Sequence, residues 1–258
     1  MTADRWTQAV RQQLGLGRLL PLGLALDGAW ITEEAAGSVL RRETAAVEGV
    51  RLGALRVALA DPDLAGTPAV PPPPSALPPG PLRVTAEFRA SVDPTAPGVE
   101  PLPAVAARLR LAVVSAATRL LGLDVTEVDL RVTDLLEGEA EDEAPPSRPA
   151  GEVRATPVPR DPEEARIASE VLAVPGVTRL RDSLGRPVHV ESAPASTSTE
   201  PALPRRHIRV ELEVSGDERA VDVARAVRAA VTETAQDSPS VAVLVTAVSE
   251  GIRHRGPS

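Results

Sequence analysis

The chain has 258 residues, 43% hydrophobic and 25% charged, with a net charge of −8, enough for one large or two small packed domains and too apolar for wholesale disorder. With no cysteine, disulfide frameworks, thiolate metal sites and cysteine nucleophiles are excluded; all 28 basic residues are arginine, which excludes a P-loop lysine and Schiff-base chemistry. One Phe, two Trp and no Tyr leave no base-stacking platform, and the acidic balance opposes a phosphate-backbone partner.

At the N-terminus, Trp6, Val10 and Leu14 recur at i, i+4 and i+8, which predicts a short amphipathic helix. The following Leu-rich stretch, Leu14 to Leu26, resembles a signal h-region, but Arg18 and Pro21 interrupt it, so it is read with the helix as residues 1–30. A first module is expected over 31–136. Thr32 reads as a helix cap before Glu33 and Glu34. Gly49 reads as the left-handed residue after that helix. Leu82-Arg83-Val84-Thr85-Ala86-Glu87-Phe88 alternates as a half-buried strand. Within this module, residues 68–81 hold Pro71 to Pro74 and Pro78, Pro79 and Pro81, and form a stiff loop. An Ala-rich helix around Arg108 and the strand Val128 to Thr133 complete the unit.

Residues 137–160 carry Glu139, Glu141, Asp142 and Glu143, then five prolines, and read as a solvated linker. A second module is expected over 161–252, with a short tail at 253–258. Asp161-Pro162 reads as an N-cap and first helical residue. Gly176 follows that helix as Gly49 follows the first. Residues 183–192, around Gly185-Arg186-Pro187, read as a hairpin tip. Ile208-Arg209-Val210-Glu211-Leu212-Glu213-Val214 matches the strand at Leu82. The helix carrying Ala224-Arg225 and Arg228 matches the one carrying Arg108, and Val241 to Thr246 matches Val128 to Thr133. Each half therefore reads helix, strand, strand, helix, strand. The fold class is α+β, as two similar modules, each a small sheet covered by helices.

The second half resembles the alkaline shock, or Gls general-stress, family of envelope stress proteins. The resemblance rests on Ile167-Ala168, Val174-Pro175-Gly176-Val177, the strand Ile208–Val214, Gly216, the helix Val221–Val231 and the strand Val241–Val248. It spans about 90 residues by helix and strand pattern, and the first half repeats it more loosely. The chain departs from the family at Val241-Ala242-Val243, where the family favours Val-Asn-Val. The whole chain also resembles a high-GC Gram-positive family carrying a nucleopolyhedrovirus p-ten label, which implies no function. The alkaline shock resemblance implies a non-enzymatic, cytoplasmic interaction or scaffold protein without a cofactor. Its partners would be proteins of envelope-stress homeostasis, including a membrane anchor, with at most peripheral membrane association. A homo-oligomer is open to it.

Candidate interaction residues are Trp6, Val10 and Leu14 on the N-terminal stripe, and Arg108, Arg225 and Arg228 on equivalent helices, where they could meet an acidic partner or anionic headgroups. No catalytic, metal or cofactor residue is assigned. Two alternatives stand beside this reading. A metal-dependent hydrolase would use His189 and His207 with Glu191 or Glu211. A nucleic-acid binder would use a KH-like module, which lacks its GxxG loop here. The set Asp182, Ser183 and His189 has no nucleophile elbow. Arg209, Glu211 and Glu213 are expected as a solvated stripe on one strand face.

Overall fold

A computed structural model describes residues 17–91, 100–136, 161–193, 205–235 and 237–251. Trp6, Val10 and Leu14, the acidic linker and the tail lie outside the described residues. The first half runs α1 (Glu33–Thr44), β3 (Val50–Leu59), β4 (Leu82–Ser91), α2 (Leu102–Ala116) and β5 (Val125–Leu136), preceded by two short strands, β1 (Leu19–Pro21) and β2 (Ala29–Thr32). The second half runs α3 (Pro162–Ala173), β6 (Val177–Leu180), β7 (Val188–Ala193), β8 (Arg205–Ser215), α4 (Ala220–Thr234) and β9 (Ser240–Ser249).

The α+β reading holds, and the two halves share a strand order. In the first sheet β4 lies between antiparallel β3 and parallel β5. In the second, β8 lies between β6 and β7, both antiparallel, and parallel β9. The parallel pair is joined each time by a helix, α2 or α4, as a parallel crossover requires. The predicted caps form. Thr32 Oγ1 accepts from the Ala35 amide at 3.2 Å, and Asp161 Oδ1 accepts from Glu163 at 2.9 Å. Gly49 and Gly176, in the turns before β3 and β6, take φ of +70° and +88°, a region that favours glycine.

Two expectations need correction. The Leu-rich segment is partly strand: β1 and β2 pair with each other, and β2 runs parallel to β9, extending the second sheet. Leu19, Leu20 and Leu22 are buried there. The hairpin around Gly185 is not one, because β6 and β7 are successive segments along the same edge of β8. The Glu211 backbone spans the break, accepting from the Arg181 amide at 2.9 Å and donating to the Pro187 carbonyl at 2.8 Å.

One hydrophobic core serves both halves. Helix α1 belongs to the first half by sequence but packs on both β3 and β9. A π-helical turn, Ala117–Leu121, extends α2 and ends at Gly122, φ +87°. A side chain there would run into Val221 of α4, and one at Gly23 would press on the same residue. The two glycines therefore let the helices and the β1–β2 turn close together. A second, smaller cluster lies on the outer face of the larger sheet: Leu19, Trp30, Ala242 and Leu244, covered by Val70 of the Pro-rich loop. Trp30 Nε1 donates to the Leu77 carbonyl at 3.3 Å. The proline loop is thus a cover contributed by the first half to the second half's sheet.

Candidate functional site

The outer face of β8 carries the most unusual electrostatics among the described residues. Strand alternation aims Ile208, Val210, Leu212 and Val214 into the core, all at 0% exposure. It aims Arg209, Glu211 and Glu213 the other way. The predicted solvated stripe is instead covered: Glu211 is fully buried and Glu213 nearly so. The cover is the loop across the break between β6 and β7, where the Leu184 amide donates to Glu211 Oε2 at 2.9 Å. On the β9 side Glu211 stands in register with Leu244, which is in turn opposite Trp30.

Glu211 Oε1 lies 3.6 Å from Arg209 Nε, and neither atom has a hydrogen-bond partner among the described residues. Burial pushes the Glu211 carboxyl up to about 7, because a charge in a low-dielectric site loses its hydration. The backbone amides of Leu184 and Ser183 and the Arg209 charge pull the other way, and Asp182 adds to the rise. Glu213 is better paired, with Arg179 at 3.3 Å and Arg181 at 3.5 Å. Glu211 can therefore hold or release a proton near neutrality, beneath a loop and an apolar cluster.

The histidines come together in part. Glu191 of β7 is in register with His207 of β8. His189 Nε2 lies 2.7 Å from Glu191 Oε1, and His207 Nδ1 lies 2.9 Å from Ser240 Oγ. The His189 hydrogen bond, foremost, holds Glu191 below the usual carboxylate range, while burial lowers His207. Glu211 sits farther along β8, against Leu184. Among the described residues no group of three or more His, Asp or Glu is arranged to hold a metal ion.

The candidate arginines are tied into the chain. Arg225 makes a forked pair with Asp27 of the β1–β2 turn, Nε to Oδ1 at 2.9 Å and an Nη to Oδ2 at 2.8 Å, and reaches Asp222 at 3.0 Å. That hydrogen bonding holds the Asp27 carboxyl below its ordinary value. Arg228 donates to the Leu26 carbonyl. Arg108 meets Glu100 at 2.8 Å and the Glu48 carbonyl at 3.5 Å. Arg108 and Arg225 thus have different partners. A polar cleft of about 650 Å³ opens between the end of α1 and the turns flanking β8 and β9, lined by Arg42, Glu43, Gly216, Asp217, Glu250 and Gly251.

Sequence reasoning found the face of Arg209, Glu211 and Glu213 but not its burial. The available signal was the unbroken apolar run Val241-Ala242-Val243-Leu244-Val245 on the neighbouring strand, the mark of a strand covered on both faces. No helix among the described residues is long and apolar enough to cross a membrane. Comparison with family models, curated proteins and solved structures finds no match to the chain.

Proposed function

We propose that the protein is a non-enzymatic interaction protein of two alkaline-shock-like modules, acting in the cytoplasm with protein partners of envelope-stress homeostasis, including a membrane anchor. The observation that supports this reading is an asymmetry between the modules. In the second, the third strand is closed by β2; in the first, no described strand pairs with the outer edge of β5. An open strand edge beside apolar side chains is a surface that another chain can extend. The internal pairing of charged groups agrees with a structural use: the candidate Arg225 holds Asp27, and elsewhere Arg206 holds Glu163 at 2.7 Å and Arg179 and Arg181 hold Glu213.

The test is affinity purification of the full chain from its native cells, with the captured proteins identified by mass spectrometry. Enrichment of alkaline-shock-like proteins and a small membrane protein is the expected result. Capture of nucleic acid instead would favour the KH-like alternative. Tight zinc or manganese binding by calorimetry, lost in His207→Ala, would favour the metal-dependent one. Either outcome contradicts the proposal.

A further inference from the structure

The two modules can be laid on each other through their paired strands. Leu82 of β4 and Ile208 of β8 occupy matching places by their strand pattern. Val84 is then in register with Val128 of β5, and Val210 with Val243 of β9. Val128, Asp129 and Leu130 thus stand where Val243, Leu244 and Val245 stand. Those three residues of β9 are the ones that β2 covers, through Ala29, Trp30 and Ile31. The stretch of β5 around Leu130 is the part of the first sheet whose counterpart already accepts an added strand.

We propose that β5 pairs antiparallel with β5 of a second copy of this chain, centred on Leu130, joining the two three-stranded sheets into one of six strands. This inference rests on the interaction reading above and names the partner for its open edge. The side chains decide the register. Glu127, Asp129 and Arg131 lie on the outer face, in register with Arg83, Thr85 and Glu87, and all three are exposed. Val128, Leu130 and Val132 lie on the inner face, in register with buried Val84, Ala86 and Phe88. Their burial fails along the strand: Val128 and Leu130 are half-buried and Val132 is 42% exposed.

A two-fold pairing about Leu130 sets Leu130 on Leu130 of the partner, Val128 on Val132 twice, and Asp129 on Arg131 twice. Opposite charges directly across a strand pair attract, and like charges repel. A register can move only in steps that keep each face on its own side. Centring on Asp129 would set two aspartates against each other, and centring on Arg131 would set two arginines. The Leu130 register alone of these three matches both charge and apolar faces. Arg110 of α2 donates to the Val128 carbonyl at 3.2 Å, which leaves that oxygen a second lone pair. Leu111 of the same helix, 71% exposed, adds apolar surface to the module that carries this edge. The interface is isologous, as two-fold dimers are.

Sedimentation velocity of the purified full chain, up to about 100 µM, tests this with charge-reversal variants at exposed positions that leave the core untouched. The unsubstituted chain should dimerise. Asp129→Arg alone and Arg131→Asp alone should each weaken the dimer by roughly tenfold or more, and the double variant should recover most of the loss. A chain that stays monomeric overturns the proposal, as does a dimer that all three variants leave unchanged. If the pure chain is monomeric while native capture still yields envelope-stress proteins, the self-pairing fails and the interaction reading stands. If the dimer follows the charge pattern while capture yields no such proteins, the self-pairing stands and the envelope-stress reading fails.

Discussion

Position for position, Thr85 and Asp129 in the first sheet match Glu211 and Leu244 in the second. Thr85 and Asp129 face solvent, and Arg83 beside them reaches Glu127 at 2.6 Å and Asp129 at 3.8 Å. Arg209, in Arg83's place, stands in register with Ala242 of β9 instead of an acid; Glu211 on its own strand lies 3.6 Å away, and Glu191 of β7 also feels its charge. The chemistry of the strand face is similar in both halves. Its surroundings differ, because the second sheet receives β1–β2, the Pro-rich loop and the loop after β6, while no described segment covers the outer face of the first sheet. The two sheets share a strand order, and the outer face is solvated where the third strand carries Glu127 and Asp129 and buried where it carries Ala242 and Leu244. Surface pairs such as Arg83–Glu127 contribute little to stability, and a buried, incompletely bonded pair costs.

The largest test of this contrast is at Trp30, the centre of the cover on the second sheet. Trp30→Ala removes a side chain that is 1% exposed and should cost about 3–5 kcal/mol in urea unfolding. A loss under about 1 kcal/mol would mean that the β1–β2 segment does not seal that sheet.

The next effect is a pH dependence confined to the second sheet. Glu211 titrates near 7 in the fold against an ordinary 4.5, so folding takes up a proton in that interval. Its stabilisation is complete below the lower value and is lost as pH rises through the upper one. With Arg209, Asp182 and the Ser183 and Leu184 amides around it, the loss amounts to at most about 3 kcal/mol. Thermal melts of the native chain should fall between pH 5 and pH 8 relative to Glu211→Gln. Thr85→Glu, at the matched exposed position, should add no such dependence. Equal pH slopes for the native chain and Glu211→Gln would place the proton elsewhere.

The smallest effect concerns the clamp that ties the β1–β2 turn to α4. Asp27→Ala breaks the forked pair with Arg225, whose side chain is 44% exposed, and should cost up to about 1 kcal/mol, less at high salt. A cost unchanged by salt would place the hold in the turn's own hydrogen bond, from the Leu24 amide to Asp27 Oδ2 at 2.7 Å, and not in the ion pair.

Much of this fold could be read from the chain itself. The helix–strand–strand–helix–strand order followed from the period-two runs at Leu82 and Ile208 and from the glycines at 49 and 176. The caps Thr32 and Asp161 followed from local chemistry, which needs no knowledge of distant residues. Pairing of β2 with β9 did not, since Ala29 and Val243 are joined only by long-range packing. The sequence pattern aligns Val128 to Thr133 with Val241 to Thr246, two residues from the register in the strands. The step of two preserved which side chains face the core. Burial of Glu211 is hidden because its cover, the loop carrying Leu184, comes from another part of the chain and packs on a cluster built from Leu19, Trp30 and Val70. Alternation shows that Glu211 leaves the core face, not whether something lies beyond it.

Amide hydrogen exchange of β5 and β9, followed as the chain is concentrated, tests the central claim most directly. Protection reports paired, slowly opening backbone. At low concentration the amides of Val241–Val245 should be well protected and those of Val128–Val132 should exchange faster. On concentration the β5 amides alone should gain protection, as the open edge finds its second copy. Equal protection of β5 and β9 in the dilute chain, or no change in β5 on concentration, would contradict the account.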